Sequence, residues 1–185
     1  MKTLNPRPPS AIDDLSLRAL AGVQRSAQNG ALPLFAWTLG LPKSALLALL
    51  AEHHMSQITH LHRLTEDQYE RLRQHAPVIF EPLVQRIKQQ RSTHTNEHQA
   101  QWLARVLAAA CLGERYLWRE LGLNSRNDLS RLLEQHFQPL YRRNQHGLHW
   151  KRFLCAELGV SLDAPHCGSG EQLSICFAAD RTERP

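Results

Sequence analysis

The chain has 185 residues, a formal net charge of +5, and leucine and alanine as its main apolar residues; that length suits one domain with a real core, and that mix favours helix over sheet. No run approaches ~18 apolar residues, which excludes a membrane-spanning helix. The arginines are scattered rather than gathered into a basic tract, so nothing supports nucleic-acid binding.

Residues 1–10, rich in proline, are expected to be a flexible leader without the apolar heart of a secretory signal. An amphipathic helix is expected from near Asp13, carrying Leu15, Leu17, Leu20 and Val23, and fading at Gln28-Asn29-Gly30. The apolar stretch 31–42 is cut by Pro33, Gly40 and Pro42, which predicts a short buried helix closing at Gly40. A helix from Lys43 to about Glu52 follows, with Leu46, Leu47, Leu49 and Leu50 as core candidates. Thr65 followed by Glu66 and Asp67 is a hydroxyl cap before acids in a first turn, and the helix it opens carries Tyr69 and Leu72. Pro77 and Pro82 are expected to interrupt it. Val78, Phe80, Leu83, Val84 and Ile87 mark its resumption toward Gln90.

Residues 91–97 are polar and form the best internal loop, a candidate hinge. From about Asn96 to Leu112 a long helix places Trp102, Leu103, Val106, Leu107 and Ala110 on one face, with Cys111 at its end. Ser125 with Asp128 three residues on is a capping pattern, and Leu129, Leu132, Leu133, His136 and Phe137 follow at helical spacing. Pro139 is expected to end that helix. A last helical turn or two spans Trp150 to Leu158. The expected fold is all-α: a single helical domain over 11–158 with an irregular, cysteine-containing C-terminal loop over 159–185.

Three of the four cysteines, Cys155, Cys167 and Cys176, fall in that last stretch. Soft thiolates gathered after a basic-aromatic Trp150-Lys151-Arg152-Phe153 turn suit a metal or iron–sulfur site. Their spacing is too wide for one C-x-x-C knuckle, so a loop must gather them. The plain alternative for each is an inert buried thiol, and it weighs most for Cys111 and Cys155, which lie on apolar helix faces. Cys167 and Cys176 sit in a Gly/Ser-rich tail with no evident core packing. A zinc site from Cys155, Cys167, Cys176 and His166 is a second metal reading. Four cysteines make no dense disulfide framework, so a reducing cytoplasm is the expected compartment.

The chain has eleven histidines. His94 and His98 are four apart, but sit in the polar loop before the helix starts, which favours a solvated surface. His53-His54 and His60-x-His62 are tempting as a second metal site, yet no acid or cysteine spacing completes them; surface solvation is the favoured reading. Lys151 and Arg152 are candidates to attract an anion, with Trp118, Trp150 and Phe153 forming a core beneath the tail. No Ser/His/Asp set, carboxylate pair or phosphate loop is recognisable, so neither a hydrolase nor a nucleotide enzyme is expected.

Between residues 102 and 177 the chain carries Y-L-W-R-E-L-G-L (116–123), R-N-D-L-S-R-L-L (126–133), H-F-Q-P-L (136–140), R-N (143–144), W-K-R-F (150–153), A-P-H-C (164–167) and C-F (176–177). This ordered series resembles the NifQ family of nitrogen-fixation accessory proteins linked to molybdenum supply. The resemblance implies a bound molybdenum–iron–sulfur cluster handed on during assembly of the nitrogenase iron–molybdenum cofactor, with the cofactor-assembly scaffold and the nitrogenase reductase protein as partners. It implies a carrier rather than an enzyme. The family's C-terminal C-x4-C-x2-C-x5-C signature aligns its second and fourth cysteines with Cys167 and Cys176. Its first and third fall on Leu162 and Gly170, which supply no side-chain ligand. Cys155 resembles an additional upstream cysteine of some members. Three thiolates match the three iron corners of a three-iron cluster, and His166 or Asp163 is then a candidate exchangeable ligand. The rival expectation is a divergent relative without a cluster, serving as a helical adaptor.

Overall fold

The computed structural model describes residues 14–55, 61–144 and 147–159. Among these residues every regular element is helical, as the leucine- and alanine-rich composition implies. Helix α1 (Asp14–Gln28) buries Ser16, Ala19, Leu20, Val23 and Ala27 along one stripe. A 3-10 turn (Leu34–Thr38) leads to α2 (Lys43–Glu52), α3 (Glu66–Gln74), α4 (Phe80–Lys88) and α5 (Glu97–Cys111). The chain closes with α6 (Leu117–Glu120), α7 (Arg126–His136), α8 (Gln138–Arg143) and α9 (Trp150–Glu157).

Helix α5 is the axle. Trp102, Leu103, Val106 and Leu107 are buried, and so are Ala100, Ala104, Ala108 and Ala109 on its other sides. Small alanines let neighbouring helices approach from several directions, and α4, α1 and α6 pack against it. Local caps set the ends. Asn96 accepts from the Gln99 amide, Thr65 and Gln68 form a reciprocal capping box, and Ser125 accepts from the Asp128 amide.

Several expectations are corrected by the packing. Val78 does not belong to the resumed helix, which starts at Phe80, and is 95% exposed. Leu47, a core candidate, is only half-buried. Pro82 lies inside α4 without breaking it, because it occupies the first turn, where an amide has no intrahelical acceptor to lose. Pro139 likewise opens α8 rather than only closing α7, the break falling at Phe137. In the 31–42 stretch the chain turns left-handed at Leu39 (φ 52°), one residue before Gly40 (φ 66°). The stretch is held by Gln24 Nε2 donating to the Trp37 carbonyl at 3.0 Å and Tyr69 Oη donating to the Leu41 carbonyl at 2.8 Å.

The 91–97 loop is fastened down, not hinge-like. The Ser92 amide donates to the His136 carbonyl at 2.9 Å, and the Gln138 amide donates to Ser92 Oγ at 2.9 Å. The buried His136 ring meets hydroxyls on both sides, Ser16 Oγ 3.1 Å from Nε2 and Thr95 Oγ1 3.3 Å from Nδ1. One imidazole thereby links α1, the loop and α7.

His53 titrates differently. Burial lowers its pKa below the ordinary 6.5, with nearby His98 and His54 adding to the shift and Glu52 opposing it. Its Nε2 is buried without a hydrogen-bond partner, and its ring sits 5.8 Å from that of Trp102. The folded state therefore prefers the neutral ring, and the unfolded chain takes up the proton first. This contribution is intact above the unfolded value and is lost as pH falls from about 6.5 toward the lower folded value. His53→Gln is expected to flatten the fall of Tm between pH 7 and pH 5; an unchanged slope would refute the assignment.

Candidate functional site: a donor-lined cleft at the base of the cysteine helix

Cys155 is placed on the buried face of α9, 5% exposed, beside Trp150, Phe153 and Leu154. Cys167, Cys176 and His166 lie outside the described residues, so their approach to Cys155 is not defined. Among the described residues no group of three or more His, Cys, Asp or Glu gathers to hold a metal. His60 also lies outside the described residues, while His62, His94 and His98 are exposed.

Helix α9 is anchored at both ends. At its start, Lys151 is about nine-tenths buried and its ammonium donates to the carbonyls of Gly113 (2.7 Å) and Arg115. The expected anion-attracting lysine thus works first as a pin, closing the loop between α5 and α6 from 36 to 38 residues away. At its end, the Glu157 carboxylate takes Arg86 of α4 at 3.3 Å and Arg143 of α8 at 2.5 Å. The thiol of Cys155 is carried by a helix with little freedom to shift.

The loop that Lys151 grips is itself shaped by a buried acid. Glu120 is fully buried, and its carboxylate accepts from the Arg115 amide at 2.9 Å and from Arg115 Nη2 at 2.8 Å. This pairing raises the Arg115 pKa, chiefly through the side-chain hydrogen bond. Ser26 Oγ of α1 donates to the Glu120 carbonyl at 3.2 Å. Neither Glu120 nor Arg115 was singled out by sequence reasoning; the only signal was their place in and beside the Y-L-W-R-E motif.

Three of the motif segments converge here on one small cleft, open to solvent. Tyr116, Leu117 and Trp118 come from the first, Arg126 and Leu129 from the second, and His149, Trp150 and Lys151 from the third. The His149 and Tyr116 rings lie 5.8 Å apart. The Arg119 guanidinium stands 5.0 Å from the Trp118 ring centre and 5.7 Å from that of Tyr116. Arg126 Nη2 donates to the Gly147 carbonyl at 2.7 Å. Trp150 and Phe153 are buried edge to face at 5.7 Å, as expected of core residues, whereas Trp118 is half-buried and lines this cleft.

Fold and site together define an all-α scaffold that fixes one cysteine helix and sets a cationic, aromatic cleft at its root. The NifQ family model matches residues 19–178, most of the chain and a span that includes positions 155, 167 and 176, and the chain belongs to the NifQ family. The NifQ protein of Azotobacter vinelandii is 39% identical over 84 residues, 43% of each chain. A NifQ homolog of Sinorhizobium fredii is 40% identical over 85 residues, 43% of this chain and 37% of that one. The NifQ protein of Rhodobacter capsulatus is 34% identical over 87 residues, 44% of this chain and 48% of that one. The chain spans less than half the length of these curated relatives. No solved structure matches it significantly.

Proposed function

We propose that this protein carries a molybdenum–iron–sulfur cluster as cargo and donates it during assembly of the nitrogenase iron–molybdenum cofactor. The single observation that supports this reading is family membership over a region that includes Cys155, Cys167 and Cys176. The cluster is substrate rather than resident cofactor, and the protein acts as a carrier, not an enzyme. Three soft thiolates suit iron, and a fourth, exchangeable position for His166 or an acceptor's ligand suits a cargo that must leave. Its recipients would be the cofactor-assembly scaffold and the nitrogenase reductase protein, met in the cytoplasm.

Thiolate ligation also gives a reason for the stiffness of α9. A ligand borne by a helix pinned at Lys151 and Glu157 loses little conformational freedom on binding, while the 160–185 segment supplies the remaining sulfurs. The loss of the family's thiols at positions 162 and 170 leaves fewer protein bonds to break on transfer.

The test is elemental analysis of anaerobically purified protein, before and after cluster reconstitution, in the wild type and in Cys155→Ser, Cys167→Ser and Cys176→Ser. Iron with molybdenum is expected in the wild type, and each serine variant should retain less than about half of it, because three-corner ligation has no spare thiolate. A colourless protein holding neither metal after reconstitution would remove the donor reading. Stoichiometric zinc in its place would assign the cysteines and His166 to a zinc site instead.

A further inference from the structure

We propose that the cleft between α6, α7 and the start of α9 binds a small inorganic oxyanion, at a site separate from the cysteines. The argument begins with what lines it. Six of its lining side chains are polar, Tyr116, Trp118, Arg126, His149, Trp150 and Lys151, and each carries an N–H or O–H; no carboxylate or carboxamide lines the cleft. The cleft surface is mostly apolar, but its polar side chains are donors and permanent cations with no acidic acceptor among them, which favours an anion over a cation.

Two of the acids nearest in sequence are occupied elsewhere, and the third, Glu114, is exposed and does not line the cleft. Glu120 is buried under Arg115, and Asp128 pairs with Arg131 at 3.7 Å. A second observation points to a ligand. The indole N–H of Trp150 is buried with no hydrogen-bond partner, although the ring lines the cleft and the residue is only 6% exposed. An unsatisfied buried donor costs about 1–3 kcal/mol, and an oxyanion reaching it would relieve that cost. The ammonium of Lys151 keeps its two carbonyl bonds and contributes its charge at short range, while Arg126 closes the rim from α7.

The anion is seated by shape and donors rather than by thiolates, so it requires neither iron nor the tail cysteines. Tetrahedral oxyanions share this chemistry, and molybdate, tungstate, phosphate and sulfate are its natural probes. Only the choice of molybdate as the physiological ion rests on the carrier reading of the previous section. It would place oxidised molybdenum at the start of the helix that bears Cys155.

Two tryptophans in the cleft provide the readout. Metal-free, full-length protein is titrated with each of the four oxyanions while its intrinsic fluorescence is followed. A saturable change is expected for at least one of them. Trp150→Phe keeps the ring packing and removes the N–H, and should weaken binding about three- to tenfold; Trp118 still reports. Arg126→Gln should weaken it about tenfold or more, since a charge-assisted bond is lost. Arg71→Gln, exposed on α3 and away from the cleft, should bind as the wild type does. Thermal melts of the same samples establish that each variant is folded, and Arg126→Gln carries the test alone if Trp150→Phe does not fold. No saturable change with any oxyanion, or unweakened binding by folded Arg126→Gln, overturns the proposal. Preference for phosphate or sulfate over molybdate upholds the oxyanion site and separates it from molybdenum supply, whereas iron content of the cysteine variants is decided independently.

Discussion

Gly22→Ala is expected to destabilise the protein by about 3 kcal/mol, at the upper end of the range for overpacking, and to lower Tm by roughly 6–12 °C. The direction is opposite to helix propensity. Gly22 sits in the middle of α1, where alanine is favoured over glycine by up to ~1 kcal/mol, so an unpacked helix would gain from the change. Here a methyl group would lie 2.1 Å from the Leu121 carbonyl oxygen, 2.3 Å from its carbon and 2.6 Å from the Gly122 nitrogen. All three are backbone atoms and cannot rotate away. Relief requires α1 to move off the α6–α7 junction, which would uncover Leu20 and Val23. The contact is reciprocal, since a methyl group at Gly122 would fall 2.9 Å from Gly22 Cα, and φ there is +62°. Calorimetry or a thermal melt decides the matter. A Gly22→Ala protein with an unchanged or raised Tm would show that α1 does not press on this junction.

The helices were legible because their signals are local. Thr65, Asn96 and Ser125 cap the turn that begins next to them, and the Leu129, Leu132, Leu133, His136 stripe lies on one helix. Reasoning from sequence went astray where a residue's role depends on what lies opposite. Val78 has the same chemistry as its buried neighbours, but no element covers it. Pro82 and Pro139 are breakers in a helix interior and harmless in a first turn, a distinction that turns on where the helix starts. His136 was read as part of an apolar stripe. Its two hydroxyl partners, Ser16 and Thr95, are 120 and 41 residues away and no spacing rule could supply them.

The candidate site shows the same division. Each motif segment around the cleft could be recognised in the sequence, yet their convergence on one wall belongs to the tertiary fold. Lys151 is the plainest case. A lysine in W-K-R-F suggests a charge offered to an anion, but most of its side chain is buried and its bonds go to two backbone carbonyls. Its charge reaches the cleft only because Gly113 and Arg115 hold it there. The cysteine trio was legible as chemistry alone, since Cys155 is one fixed thiol whose companions lie outside the described residues.

Glu120→Ala is expected to remove about 3 kcal/mol of stability and to loosen the cysteine helix along with it. Three Arg115 donors lose their acceptor: the backbone amide, Nε at 3.3 Å and Nη2 at 2.8 Å. The guanidinium, 44% exposed, can turn to water; the amide is left without its acceptor and a fully buried carboxyl-sized space is left empty. These last two losses set the magnitude, and they correspond to a Tm lower by roughly 6–12 °C. Glu120→Gln keeps one carbonyl oxygen for the Arg115 amide and fills the volume, so about half the loss is expected there. The consequence travels along a defined route. Glu120 shapes residues 113–115, whose carbonyls receive Lys151, and Lys151 begins the helix that bears Cys155. Alkylation of the Cys155 thiol, followed by mass spectrometry on folded protein, is therefore expected to accelerate in Glu120→Ala more than in Gly22→Ala, although both are comparably destabilised. Equal rates in the two variants would mean that global unfolding alone exposes the thiol, and that the Glu120–Lys151 linkage does not govern α9.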